Sequence, residues 1–249
     1  MRELVDHQDL VALCDSDTLC LWAAQGLDGR SRAFTDRDGR AVAVAGPGLS
    51  VRDRLAVHGE PVAAVTLVGE VLAEVGPSYR LLGEPALIDA LVAGVPELAA
   101  VKAFGWMDTT TLPPPSTAGR AAWLTDAELP EATALLEAGF PASYAKPGTP
   151  GVQGWAGVRD AAGRLLAVAA LAWSAPEVGL IAGVAVGPKA RGQGLGHAVC
   201  TYVLAAAVHR HGAAALMIDE WNHPARRLYE RLGMRHRPLC AAAAVVVPL

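Results

Sequence analysis

Charged and aromatic side chains are both scarce in this chain, at 18% and 5% of residues. Lysine occurs only at Lys102, Lys146 and Lys189, and the formal net charge is −4. Without a basic excess there is no electrostatic ground for a nucleic-acid partner or an anionic membrane surface. Cysteine is limited to Cys14, Cys20, Cys200 and Cys240, with no Cys-x-x-Cys pair and no histidine at zinc-finger spacing. That excludes a disulfide framework or a zinc ribbon. Four buried free thiols in a reducing compartment, and no metal, are the expectation. His209-x-His211 falls at a helix C-terminus, where cationic side chains suit the dipole. No apolar run is long enough to cross a bilayer, and Met1-Arg-Glu-Leu-Val-Asp-His7 lacks the apolar core of a signal peptide. These absences point to a soluble, cytoplasmic protein. Apolar residues, by contrast, make up 52% of the 249 positions, enough for a substantial core in one large or two small domains.

The most informative stretch runs from Val184 to Gly196, Val-Ala-Val-Gly-Pro-Lys-Ala-Arg-Gly-Gln-Gly-Leu-Gly. The apolar, β-branched residues from Val178 to Val186 predict a buried strand. Leu195, Val199, Tyr202, Val203 and Ala206 recur on one face of a helix that ends near His211-Gly212. Between strand and helix lie Arg191, Gly192, Gly194 and Gly196. Such a turn presents free backbone N–H groups and the positive end of the helix dipole. Glycine lets the backbone approach a ligand closely, so the combination predicts an anion site, most often for phosphate.

Two phosphate loops can be compared with these letters. A P-loop needs Lys-Ser/Thr where Gln193-Gly194 stand, so that reading fails. A dinucleotide fingerprint needs a third glycine where His197 stands, although Asp219 imitates its ribose-binding acid. The pattern Arg191-x-x-Gly194-x-Gly196 resembles the pyrophosphate loop of the GNAT superfamily of N-acetyltransferases. The later stretch Asn222-His-Pro-Ala-Arg-Arg-Leu-Tyr229-Glu-Arg-Leu-Gly-Met234 is similar to that family's second motif, with Met234 replacing a usual phenylalanine. The resemblance covers the C-terminal half of the chain.

The sharpest break in the chain is Thr109-Thr-Thr-Leu-Pro-Pro-Pro-Ser-Thr-Ala-Gly119, a semi-rigid spacer. It divides an N-terminal α/β domain (1–112) from a C-terminal domain (120–249), with 113–119 as linker. In the first, a helix is expected over Glu3–Leu13 and a short strand over Ala41–Ala45. A strand–turn–helix unit then occurs twice, entered through Gly59-Glu-Pro61 and Gly83-Glu-Pro85, and Leu98–Trp106 closes the set. In the second, the pattern reads strand (121–124), helix (126–138), loop (139–154), hairpin (155–173), strand, helix, strand (213–218), helix and a last strand over Arg235–Val247. Periodicity yields a mixed α/β (α+β) fold. The resemblance implies two GNAT-like domains, each a mixed, mostly antiparallel sheet flanked by helices, with the acetyl-CoA site in the second and the first a degenerate copy.

What the resemblance implies for chemistry is direct transfer of an acetyl group from acetyl-CoA to a primary amine. Pyrophosphate falls to Arg191, Gly192, Gln193, Gly194, Leu195 and Gly196, and the pantetheine arm to main-chain groups of Val184, Ala185 and Val186. Gly183 marks a bulge in that strand. Asn222 is also assigned to cofactor binding and doubles as a helix N-cap. Tyr229 takes the general acid's place; on residue type alone it is as well read as a core tyrosine. Glu177 is the base the resemblance suggests, with Asp219 and Glu220 as competitors, and the three acids suit a cationic amine. Trp155, Trp173, Trp221 and Tyr144 could wall an acceptor pocket or simply fill core. The acceptor is a small-molecule or peptide amine, and a homodimer is allowed. Two rival readings are a non-catalytic acyl-CoA-binding or regulatory protein and a dinucleotide-binding module.

Overall fold

A computed structural model describes residues 1–115 and 120–245. Residues 116–119 of the expected linker, and Val246 and Val247 of the expected last strand, lie outside it. The elements in chain order are β1 (Arg2–Leu4), α1 (His7–Leu13), α2 (Thr18–Ala24), β2 (Arg32–Thr35), β3 (Ala41–Leu49), β4 (Arg52–Gly59), α3 (Pro61–Val75), β5 (Arg80–Gly83), α4 (Pro85–Gly94) and β6 (Leu98–Thr109). They continue with β7 (Ala121–Trp123), α5 (Leu129–Gly139), β8 (Val152–Arg159), β9 (Leu165–Ala172), β10 (Val178–Val186), α6 (Leu195–His211), β11 (Ala213–Ile218), α7 (His223–Arg231) and β12 (Arg235–Ala244). No helix among the described residues is long and apolar enough to cross a membrane.

Two units divide the chain, and neither is contiguous. The first comprises Met1–Trp106, Ile218–Asn222 and the segment from Arg237; the second comprises Met107–Met217 and His223–His236. The sequence reading instead has contiguous halves on either side of 113–119. The difference arises at β12, whose Cys240, Ala241 and Ala242 pair antiparallel with Gly83, Leu82 and Leu81 of β5. A short apolar strand has no letter that tells which neighbour it will join.

In the first unit the strands lie in the order β1-β2-β3-β4-β5-β12-β6. β1 to β4 pair antiparallel, and β4 and β5 pair parallel, with Leu55 opposite Leu81. The parallel step is a consequence of α3, because parallel neighbours need a crossover. The core gathers Phe34, Leu55, Leu67, Val68, Ile88 and Leu91. The expected helix over Glu3–Leu13 is shorter: Arg2–Leu4 pairs with β2, and Asp6 caps α1 by accepting from the Gln8 N–H at 2.8 Å.

In the second unit β7, β8, β9 and β10 run antiparallel in sequence order, and β11 joins β10 in parallel. Neighbouring residues at the end of β10 meet different helices. Ala185 abuts Gly139 at the end of α5, while Val186 abuts Gly196 at the start of α6. Successive strand side chains point to opposite faces, so the two helices cover the two faces of this strand. Both units are mixed sheets, mostly antiparallel and flanked by helices.

Candidate active site

The site is built on the way β10 changes partners. Val178, Gly179 and Leu180 pair with Ala213, Ala214 and Ala215 of β11, and that register ends at Leu180. On the other side, β10 pairs with β9 through Ile181 and Ala182, and again through Ala185 and Val186, with a shift in between. Gly183 sits in this bulge at φ +61°, a left-handed conformation that favours glycine. A side chain there would also collide, because a Cβ would stand 2.4 Å from Cη2 of Trp155. The sequence expectation of a bulge at Gly183 therefore holds. Past it, Val184, Ala185 and Val186 run on with β9 alone, so their other edge has main-chain groups to offer.

Beyond Val186 the chain makes a 3₁₀ turn over Pro188–Ala190 and an exposed loop, Arg191 to Gly194, before α6. Gly192 and Gly194 have φ of +78° and +75°. Gly194 is the N-cap of α6 and supplies no side-chain cap, so the first N–H groups of a 17-residue helix have no side-chain acceptor there. Arg191 directs its guanidinium to the carbonyl of Gly139 at 3.2 Å, the last residue of α5. A cation at a helix C-terminus is favourable. This contact ties the loop to α5.

Tyr229 is buried on α7 and interacts with the fully buried thiol of Cys200 on α6. Burial is the main cause that raises its hydroxyl well above the ordinary tyrosine range, helped by the Cys200 sulfur. Burial likewise pushes Cys200 up to about 12. Both groups therefore keep their protons at neutral pH. The neighbouring Leu228 reaches within 3.5 Å of where a Cβ on Gly196 would stand, and Val186 within 3.4 Å. α7 is thus packed against the glycine turn and the end of β10.

The sequence model of the acetyltransferase (GNAT) family matches residues 122–234. This span takes in the bulge, the glycine turn, Cys200 and Tyr229. Residues 122–234 form a GNAT domain. No curated protein matches the chain. Among solved structures, a GCN5-related N-acetyltransferase from Kribbella flavida has a TM-score of 0.60 at 19% identity, over 93% of this chain and 95% of its own. A GNAT-family protein from Novosphingobium aromaticivorans has a TM-score of 0.55 at 22% identity, over 91% and 97%. A GCN5-related N-acetyltransferase from Sphaerobacter thermophilus has 0.57 at 17%, over 96% and 92%. The shared fold thus extends beyond the residues that the family model matches.

Within the GNAT domain the structure brings Val184–Val186, Arg191–Gly196 and Tyr229 into one neighbourhood. Glu177 precedes β10, six residues before Gly183, about 20 Å along an extended strand. The carbonyl of its neighbour Pro176 lies 3.2 Å from His211 at the far end of α6. Tyr229 meets α6 at Cys200, eleven residues or about 16 Å earlier on the helix. Asn222 lies in the 218–222 segment of the first unit, directly before α7, where its N–H donates to the Asp219 carbonyl at 2.9 Å. Asp219 itself is ion-paired with Lys102 within the same unit. Sequence reasoning missed Cys200 and Gly139. The first looks like any apolar helix position and the second like any helix-ending glycine.

Proposed function

We propose that the protein is an acetyl-CoA-dependent N-acetyltransferase that moves an acetyl group directly to a primary amine. The observation that carries this reading is the parting of β10 from β11 at Leu180, followed by a bulge and an uncapped helix start. Together they offer one continuous run of main-chain donors and acceptors, long enough for an extended ligand that ends in phosphates. Val184, Ala185 and Val186 hold the pantetheine arm as a strand would, and the N–H groups from Gly192 to Gly196 hold the pyrophosphate. Acetyl-CoA supplies the activated acyl group and a thiolate leaving group.

The protein's own residues do the rest. Holding both substrates in line contributes most, since intramolecular positioning is worth roughly 7–11 kcal/mol of barrier in favourable cases. Tyr229, protonated because it is buried, donates its proton to the departing sulfur as the C–S bond breaks, and the proton shed by the new amide nitrogen restores the hydroxyl. Cys200 is the buried neighbour of that hydroxyl. Glu177, three residues before β10 parts from β11, draws off the amine proton through water, so that the amine attacks as the free base. Thiol release from acetyl-CoA, measured on the full chain against a panel of primary amines, tests the reading. Amine-dependent release supports it. Tight acetyl-CoA binding without release across the panel would favour the non-catalytic alternative, and NADH binding in place of acetyl-CoA the dinucleotide one.

A further inference from the structure

Trp155 lies on β8 and is 2% exposed, yet among the described residues its Nε1–H has no hydrogen-bond partner. A buried indole normally satisfies that donor, because an N–H taken out of water and left unmade loses its full solvation. Two other buried tryptophans illustrate the rule. Trp106 donates to Thr18 Oγ1 at 2.9 Å, and Trp173 to the Pro150 carbonyl at 3.0 Å. Trp155 is the exception, and its position is not incidental. The Cη2–Cζ3 edge of its ring lies against Gly183, so close that only the missing Cβ permits the contact. Ala145, from the loop between α5 and β8, closes the same bulge from another side. The unpaired N–H lies across one aromatic ring from the point where β10 opens.

We infer that the Trp155 indole N–H is a substrate-recognition donor, reserved for a neutral oxygen on the acceptor amine. The inference rests on the acetyltransferase reading and adds the class of acceptor. On that reading the acyl end of the thioester arrives at the bulge, because the strand edge that guides the pantetheine arm begins there. The second substrate must meet the acyl group near that bulge, and the Trp155 N–H is an unmet donor one ring away from it. An indole N–H carries no charge, so it offers a carboxylate no ionic compensation for the water it would lose. An amide carbonyl or a hydroxyl accepts the hydrogen bond without that penalty. A plain alkylamine leaves the N–H as orphaned as it is in the free protein. The predicted acceptor is therefore an amine with an uncharged oxygen near the nitrogen, as in an amino-acid amide, a peptide N-terminus or an amino alcohol.

The test uses the full chain with Trp155→Phe, which keeps a ring but removes the donor. A second variant places benzothienylalanine at 155, exchanging N–H for sulfur in the same ring shape. Four amines are compared: an amino-acid amide, an amino alcohol, the free amino acid and an alkylamine of equal length. In the wild type the amide or the alcohol should be preferred over the alkylamine by about tenfold in kcat/KM, the worth of one hydrogen bond. Whichever of the two is preferred names the oxygen. Both variants should erase that preference through KM for the amine, and the benzothienyl variant, which keeps the ring edge against Gly183, isolates the loss of the donor. Thermal melting supplies a readout that needs no substrate. Removing a donor with no partner should leave the melting temperature unchanged or raise it. A lowered melting temperature in the benzothienyl variant would mean that the N–H is bonded within the fold, and would overturn the inference. So would a wild type that prefers the alkylamine or the free amino acid, or a preference that survives both substitutions. A wild type that binds no acetyl-CoA by calorimetry brings down the acetyltransferase reading, and the inference with it.

Discussion

Burial does two things to Tyr229. It makes the ring part of the packing between α6 and α7, and it holds the proton on the hydroxyl. Tyr229→Phe keeps the packing and removes the proton. Turnover should fall by about 10- to 100-fold, in line with general-acid contributions, while calorimetry finds acetyl-CoA affinity unchanged. The sign of the pH effect follows from the raised pKa. The protonated form is the competent one, and it persists until the pH passes the raised value. The kcat profile of the wild type should therefore rise with loss of the amine proton and stay flat past pH 10, where an ordinary tyrosine begins to ionise. A falling limb below pH 10 would rule out a buried tyrosine as the acid. Gly194 is the complementary case. At φ +75° it caps α6 in a conformation that a β-branched residue avoids. Gly194→Val should abolish acetyl-CoA binding, and calorimetry that found wild-type affinity would remove the glycine turn from the site.

At the scale of elements, the two units follow one order of strands and helices but join strand to helix differently. In the second, eight residues from Gly187 to Gly194 separate β10 from α6. In the first, Glu60 alone separates β4 from α3, and Pro61 follows as the first helical residue. The same is true of Glu84 and Pro85 before α4. There is no loop to cradle a phosphate, a carboxylate stands at the positive end of each helix, and each proline removes one N–H donor. The N-terminal unit should bind no coenzyme A. Isothermal titration of the full chain should give one acetyl-CoA per chain, and a stoichiometry of two would contradict this. Such contrasts are readable from letters because they are local. Gly-Glu-Pro fixes a helix start, and the apolar period from Leu195 to His211 fixes a helix whose bounds the structure reproduces. Ala213–Ile218 is likewise recovered to the residue. α2 was not legible. Leu19 to Ala24 are all buried, so the segment has no polar face and hence no period to read.

For the whole molecule, the discontinuity of the first unit is the feature with the largest effect. Its edge at β5 is completed by residues from the far end of the chain, with Leu239, Ala241 and Ala242 buried. Burial of Leu239 alone is worth about 1.5–3 kcal/mol. Ending the chain after His236 should leave α6 and β10 intact and unravel the first unit around β5. Hydrogen exchange read by mass spectrometry should find Leu81 and Leu82 unprotected and the α6 amides still slow. Equal protection of Leu81 and Leu82 in both chains would show that β12 is dispensable there.

This arrangement also sets a clock during synthesis. A chain emerges N-terminus first, at roughly 5–20 residues per second, and domains ordinarily fold in the order in which they appear. Here the N-terminal unit cannot close its own sheet until β12 has left the ribosome. In the interval the edge of β5 is a row of unpaired backbone groups, the kind of edge to which another chain can add. The second unit, whose residues have all appeared by His236, has no such wait. The half without the predicted chemistry is thus made first and finished last, and until then it depends on whatever shields an open strand in the cell.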